Sequence, residues 1–475
     1  MSAACFLVLL LLFASPAQAQ GAFPPPVAQA LAAAKIPVTG TAVLVQELGA
    51  PRAVLSVNSG VAMNPASVMK LVTTYAALEL LGPAYRWKTE AYTSVPVREG
   101  TLEGDLVLKG YGDPKLDLEG FWLLLRDLRG KGLRDIRGDV VLDRSHFVPS
   151  ALDAGRFDGD TFRPYNVLPD ALLVNFKSLR FAFIPEPEHG SVRLYVAPRP
   201  PALEVVNVLR LSDGPCPQGQ AFREMLKPTF DPARQRALFS GRYPASCGEK
   251  DLNVALLEPN DHVAGTLREL WSELGGRWGN GGTGSVRDGP VPAGALLLHT
   301  RESPPLAEIV RDTNKFSNNV MARHIFLTLG AESAGPPANT EKAVAAIREW
   351  IERKGISAPE LVLENGSGLS RIERVSAASL AALLEVAWRS AVMPEFISSL
   401  PIVAMDGTMR RRLKGESIAG QAHIKTGLLS DARAMAGYVL SRSGRRHVVV
   451  MLINDANAHQ GQPAMDALLR WVYER

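Results

Sequence analysis

The chain reads as an α/β protein of the α+β kind, in which an antiparallel sheet flanked by helices is assembled from both chain ends and interrupted by a large β-rich insertion. Three observations lead there. Apolar, strand-like runs occur near the start (41–48 and 52–58) and near the finish (434–440 and 447–453). An amphipathic segment from Pro463 to the C-terminus supplies a helix to cover one face of a sheet built from those runs. Between the ends, about 87–290 is dense in short alternating runs such as 102–108 and 140–142, with prolines clustered at 185–187 and 198–201.

Taken in order, residues 1–19 read as a signal peptide. The apolar run 5–13 is too short to span a bilayer and leads into Ala17-Gln18-Ala19, a small-x-small cleavage signal, although only the α-amine supplies positive charge ahead of it. Cys5 lies too early for a lipid-attachment cysteine. Removal of this segment leaves Cys216 and Cys247, both in loop contexts, and two cysteines in an exported chain predict a disulfide.

The runs 41–48 and 52–58 flank a Gly49-Ala50-Pro51 turn and read as a hairpin. Asn64-Pro65-Ala66-Ser67 then opens a helix over 68–81, with apolar residues at Val68, Leu71, Val72, Tyr75, Leu78 and Leu81, and Gly82-Pro83 stops it. Residues 87–290 read as an insertion with its own core in two subdomains, leaving by a flexible 279–284 glycine run. Helical patterning returns at 343–354 and 377–388, so 20–86 and 291–475 are expected to form one body.

Charged residues make up 21% of the chain and apolar ones 46%, an ordinary globular balance. The net charge is +4, and no basic stripe is longer than Arg410-Arg411-Arg412, which excludes a nucleic-acid-binding surface. No His-x-x-x-His or other metal-ligand spacing occurs, so neither a metal nor a cofactor is expected.

The chemistry is carried by three short strings. A serine hydroxyl is a weak nucleophile until a base takes its proton. Ser67 and Lys70 stand one helical turn apart and can meet on one face. The lysine can act as the base if burial in an apolar helix, or a second cation, lowers its proton affinity. Lys425-Thr426-Gly427, at the end of a strand-like run, supplies that second cation across a cleft. Ser317-Asn318-Asn319 sits at a loop-to-helix junction, where a hydroxyl and an amide can point into the same cleft; the alternative there is a plain helix cap. For Ser67 and Lys70 the alternative is a capping serine followed by a surface lysine. A Ser-x-x-Lys match is expected by chance roughly twice in a chain this long and a Lys-Thr-Gly match in roughly one chain of ten. The order and context of the strings therefore count for more than any one of them.

Pro65-Ala66-Ser67-Val68-Met69-Lys70, Ser317-Asn318-Asn319 and Lys425-Thr426-Gly427 together resemble the class C low-molecular-mass penicillin-binding proteins, the D-alanyl-D-alanine carboxypeptidase/endopeptidases. Tyr111-Gly112-Asp113-Pro114, Asn365-Gly366-Ser367-Gly368-Leu369-Ser370-Arg371 and Met405-Asp406-Gly407-Thr408 extend the similarity over the mature chain. The gap of 250 residues from Ser67 to Ser317 separates this family from β-lactamases, because its members place two extra domains there. The resemblance implies a β-lactamase/transpeptidase-like catalytic domain, acylation of Ser67, Lys70 as general base, and Ser317, Asn319 and Lys425 in the proton network. It implies that Lys425, Thr426 and Gly427 line the substrate, with the backbone N–H groups of Ser67 and Leu428 as oxyanion hole. Leu428 departs from the family, which commonly has Thr or Ser there, and Asn175 departs where better-known members place an Asp near the substrate's free amine. Arg371 matches a cleft-lining position and is carried as a binding residue. The implied partners are peptidoglycan stem peptides and β-lactams as covalent inhibitors, and the mildly basic charge suits association with a wall or membrane surface. A β-lactamase of related fold and a non-catalytic wall-binding protein are the competing readings; nitrocefin turnover separates the first, D-Ala release from a pentapeptide the second.

Overall fold

The computed structural model describes residues 22–150, 152–279 and 284–475, so the expected signal peptide and most of the 279–284 glycine run lie outside the described residues. At the centre is a five-stranded sheet in the order Ala422–Leu428, Ala432–Leu440, Arg446–Asn454, Thr41–Glu47 and Leu55–Val57. Every pairing in it is antiparallel, and Thr41–Glu47 closes against Arg446–Asn454, joining the two chain ends.

Side chains alternate across this sheet, and both faces are buried. Ala42, Leu44, Tyr438, Val450 and Leu452 face one core, where they meet helices Lys70–Leu81, Asn319–Ala334, Thr340–Arg353 and Ala377–Trp388. Val43, Val45, Met435, Val449 and Met451 face the other core, covered by helices Pro25–Ala33 and Gln462–Tyr473. Burial on both sides explains why 447–453 is almost continuously apolar in sequence instead of alternating.

The chain between the first helices and the return to this sheet builds two further cores. In one, strands Lys88–Thr93, Leu106–Gly110, Val140–Asp143, Val286–Asp288 and Leu296–Glu302 form a mixed sheet. Helices Leu118–Gly130 and Pro259–Glu273 pack on it through Phe121, Leu124, Leu267 and Trp271. Leu118–Gly130 starts on Asp117, whose side chain accepts the Gly120 amide as an N-cap. The other core gathers Phe181, Phe183, Phe239 and Tyr243 between small sheets. Cys216 and Cys247, 31 residues apart, are disulfide-bonded at its edge, where regular structure is sparse.

The expected helix over 68–81 differs at its start. Residues Ala66–Met69 form a 3-10 turn, and the α-helix begins at Lys70. Ala66 has φ 46°, and it is enclosed by neighbours on both sides. A Cβ on Gly368 would lie 1.9 Å from the Ala66 carbonyl oxygen, and one on Gly427 would lie 2.8 Å from the Ser67 nitrogen. Two glycine backbones thus press on this turn, an arrangement that local helical periodicity does not encode.

Candidate active site

Ser67 is held by contacts that tie its turn to two other parts of the fold. The Asn64 side chain accepts the Ala66 N–H (2.9 Å) and donates to the Ser370 carbonyl (2.8 Å). The Asn64 backbone exchanges two hydrogen bonds with the Asn454 side chain, at 2.7 and 2.9 Å, at the end of the central strand. Asn64-Pro65-Ala66 therefore works as a bracket between sheet and loop, and Ser67 emerges from it at the mouth of a cleft.

Lys70 follows one turn later and is fully buried. Its Nζ donates to Ser67 Oγ (3.0 Å), Asn319 Oδ1 (2.7 Å) and the Ser367 carbonyl (2.5 Å). Lys425, also fully buried, donates from Nζ to Ser317 Oγ (2.9 Å) and to the Thr426 carbonyl (2.7 Å). Among the described residues neither lysine has a carboxylate partner within ion-pair distance. Burial disfavours the charged ammonium, and Lys425 adds repulsion, so Lys70 is held well below its ordinary value; nearby Glu373 opposes that fall. Burial alone pulls Lys425 down to about 7. A lysine so disfavoured as an ammonium gives up its proton more readily and can then take one from a hydroxyl at hydrogen-bond distance.

Ser317 has φ 56°, which turns its hydroxyl towards Lys425 just before helix Asn319–Ala334 begins. The capping function at this junction belongs to Asn318, whose side chain accepts the Met321 N–H. That division leaves the Ser317 hydroxyl and the Asn319 amide directed at the two lysines.

Lys425 and Gly427 point from strand Ala422–Leu428 towards the serine turn. This strand is the sheet's edge, and its backbone register decides what it offers. Leu429 N–H bonds to Ala432 O and Leu440 N–H to Gln421 O, so odd-numbered residues face the neighbouring strand and even-numbered ones face outward. Ile424 N–H is taken by the Pro401 carbonyl. The outward groups of Thr426 and Leu428 border the cleft beside Ser67, and no acceptor among the described residues takes the Ser67 N–H. Two backbone donors beside Ser67, one on the turn and one on an exposed edge, form an arrangement that can receive an oxyanion.

Thr426 Oγ1 donates to Thr408 Oγ1 (2.7 Å). Leu428 is 56% exposed, so an apolar side chain stands in solvent at the end of this strand. Arg371 packs against the loop that follows Leu428, bonded to Asp431 (2.9 Å) and Ser430 (3.2 Å) and stacked over the Phe157 ring at 4.3 Å. Asn175 lines a cavity of about 690 Å³ together with Tyr165, Phe316, Ser317 and Asn319. Its side chain donates to the Ser178 carbonyl (2.8 Å), within a run of three left-handed residues, Asn175, Phe176 and Lys177. Ser67, Lys70, Ser317, Asn319, Lys425, Thr426, Gly427 and Leu428 thus come together, Asn175 lines the cavity shared with Ser317 and Asn319, and Arg371 lines a separate cavity beside Phe157.

Three contributors to this cleft carried no functional role from sequence. The Ser367 carbonyl that receives Lys70, and the Thr408 hydroxyl, both fall in strings noted for the resemblance, but a backbone acceptor has no side-chain signature. Glu373 sits in a polar Arg371-Ile372-Glu373-Arg374 string that reads as solvent-facing, yet it is completely buried. Among the described residues no group of His, Cys, Asp and Glu is arranged to hold a metal ion.

Residues 26–474 match the model of the D-Ala-D-Ala carboxypeptidase 3 (S13) family. A D-alanyl-D-alanine carboxypeptidase of Actinomadura sp. (strain R39) is 30% identical over 420 residues, covering 85% of this chain and 75% of its own. D-alanyl-D-alanine carboxypeptidase DacB of Haemophilus influenzae is 23% identical over 399 residues, covering 84% and 81%. The crystal structure of penicillin binding protein 4 from Haemophilus influenzae aligns with a TM-score of 0.76 at 22% identity, over 94% of this chain and 99% of that one. A predatory endopeptidase of Bdellovibrio bacteriovorus aligns with a TM-score of 0.53 at 16% identity, over 91% and 93%. At these identities the two solved structures establish a shared fold, including the excursion between the Ser67 helix and the Ser317 loop.

Proposed function

The chain belongs to the D-Ala-D-Ala carboxypeptidase 3 (S13) family, and on that premise we propose that it is an exported serine DD-peptidase acting on peptidoglycan through an acyl-enzyme at Ser67. The observation that carries this reading is the buried, unpaired Lys70 with its Nζ 3.0 Å from Ser67 Oγ.

Ser67 Oγ attacks the carbonyl of the penultimate D-Ala while Lys70 takes the hydroxyl proton. The tetrahedral oxyanion is received by the N–H groups of Ser67 and Leu428. Collapse breaks the peptide bond, and the proton taken by Lys70 passes through Ser317, which Lys425 holds, to the leaving amine, so that Lys70 is neutral again. Water then attacks the ester carbonyl, giving a proton back through Lys70, and releases the shortened stem. Asn319 and the outward edge at Thr426 and Leu428 hold the substrate backbone, while Thr426 and Lys425 hold its terminal carboxylate. Leu428 contributes a backbone donor and no hydroxyl. When the leaving amine belongs to a neighbouring stem, the same steps cut a cross-link, an endopeptidase action. β-Lactams present a strained amide and a carboxylate to the same groups and acylate Ser67. Export through residues 1–19 would deliver the enzyme to the wall. Because Leu296–Glu302 pairs with Lys88–Thr93, the inserted region is taken to run to about residue 302, beyond the residue 290 read from sequence.

The test is purified protein incubated with a pentapeptide ending in D-Ala-D-Ala and with cross-linked muropeptides. Release of D-Ala or of monomeric stems is expected, and is lost in Ser67→Ala. Neither product, or steady turnover of nitrocefin in their place, would overturn the reading in favour of a wall-binding protein or a β-lactamase.

A further inference from the structure

Glu373 has no part in the steps above, yet it is the acid closest in effect to Lys70. Its side chain is fully buried. Oε1 accepts three backbone N–H groups, from Glu364 (3.1 Å), Asn365 (2.9 Å) and Gly366 (2.9 Å). Oε2 is buried without a hydrogen-bond partner. The turn held by Oε1 is the one that touches the nucleophile helix. The Gly366 carbonyl accepts from Thr73 Oγ1 (2.7 Å), and the next carbonyl, Ser367, accepts from Lys70 Nζ (2.5 Å). Gly366 has φ 68°, and a Cβ on it would lie 2.6 Å from the Phe326 ring and 2.7 Å from Thr73 Oγ1, so the turn has no slack against that helix.

A structural clamp alone needs one acceptor and no charge. The charges around Lys70 argue for more. Strand Ala422–Leu428 presents Lys425, and helix Asn319–Ala334 presents Asn319 and, one turn on, Arg323. Arg323 is nearly buried; it donates to the Val167 carbonyl (3.1 Å) and its Nε has no partner. From the 364–373 loop come the Ser367 carbonyl and Glu373, while Glu364 turns outward to Arg156. Two cations face Lys70, with the Glu373 carboxyl opposing them; burial pushes that carboxyl up, and the amides of Asn365, Glu364 and Gly366 pull it back towards its ionised form. Burial and two like charges push the lysine far towards its neutral form, and a base pushed too far cannot hold the proton it takes.

We propose that Glu373 is a positioning residue for acylation: through its three amide bonds it pins the turn whose Ser367 carbonyl holds Lys70 Nζ beside Ser67, and it supplies the negative charge set against Lys425 and Arg323 around that lysine. The inference rests on the acyl-serine reading above. Glu373→Gln keeps an oxygen for the three amides and removes the charge, whereas Glu373→Ala removes both.

The experiment measures the rate of labelled-penicillin uptake against pH for the wild type and Glu373→Gln, and amide hydrogen exchange at 364–366 for the wild type and Glu373→Ala. Loss of the negative charge lowers the proton affinity of Lys70, so the acid limb of the Gln variant is expected to move to lower pH by about one unit, with a slower plateau. Exchange at Asn365 and Gly366 is expected to quicken at least about tenfold in the Ala variant, as a lost charge-assisted hydrogen bond requires. A wild type that takes up no penicillin defeats the acyl-serine reading and this inference with it. A wild type that labels while the Gln limb stays in place, or while exchange in the Ala variant is unchanged, defeats the inference alone.

Discussion

Gly427→Ala adds one methyl group at the contact between the edge strand and the nucleophile turn. The backbone tolerates it, since Gly427 is not among the left-handed residues. The space does not. The new Cβ would lie 2.8 Å from both the Ser67 nitrogen and the Pro65 oxygen, and 2.9 Å from the Ala66 Cβ. Carbon atoms pack at about 3.5 Å or more, so strand and turn must part by roughly 0.6 Å. Both moved pieces carry a donor that the proposed mechanism assigns to the oxyanion, Ser67 N–H on the turn and Leu428 N–H on the strand. Losing one such donor costs about 3 to 4 kcal/mol, or 100- to 1,000-fold in rate, while overpacking costs about 1 to 3 kcal/mol in stability. The expected result is penicillin acylation slowed about 100-fold in a protein that still folds, with its thermal midpoint lowered by a few degrees. Gly130→Ala is the control, because nothing lies within 4 Å of a Cβ there, and it should leave both measurements unchanged. Acylation of Gly427→Ala at the wild-type rate would refute the placement of the oxyanion hole.

Lys425 loses its proton near pH 7 when folded and near 10.5 when unfolded. The unfolded chain therefore binds more protons between these values, and stability rises with pH across that window. Lys425→Met should gain stability over the wild type at pH 7 and lose that advantage as pH approaches 10, in denaturant titrations at both ends; an advantage independent of pH would contradict the buried-lysine account. Asn319→Asp would set a carboxylate where Oδ1 now lies 2.7 Å from Lys70 Nζ. It should hold the lysine protonated and move the acid limb of acylation upward by about 1 to 3 units, read from the same rate–pH profile. Replacing Cys216 and Cys247 by Ser opens a link spanning 31 residues, worth about 3.7 kcal/mol by loop entropy. Limited proteolysis should then cut first around the Phe183–Phe239–Tyr243 core, with Ser67 acylation at 25 °C unaffected.

The central sheet was legible because its strands are apolar runs bounded by turns, and helix Ala377–Trp388 because its pattern is unbroken from cap to end. The start of the Lys70 helix was not legible: two glycines from distant segments force a 3-10 turn there, and no local pattern carries that information. The Ser67–Lys70 pair could be read from its i, i+3 spacing together with the order and context of the three strings, and its link to Ser317, Asn319 and Lys425 from the family resemblance those strings carry. The groups that complete the surroundings of Lys70 escape such reading. Ser367 acts through a carbonyl, and Glu373 is buried from within a string of exposed character. At Asn175, three successive left-handed residues turn the amide onto the Ser178 carbonyl, a local conformation that no sequence pattern carries.

The central claim is that Ser67 is the group acylated. Intact-mass analysis after brief exposure to benzylpenicillin, followed by peptide mapping, tests it directly. The account predicts one adduct per chain, on the peptide containing Ser67, slowed in Lys70→Met and absent in Ser67→Ala. No adduct, or an adduct that persists in Ser67→Ala on another side chain, would contradict it.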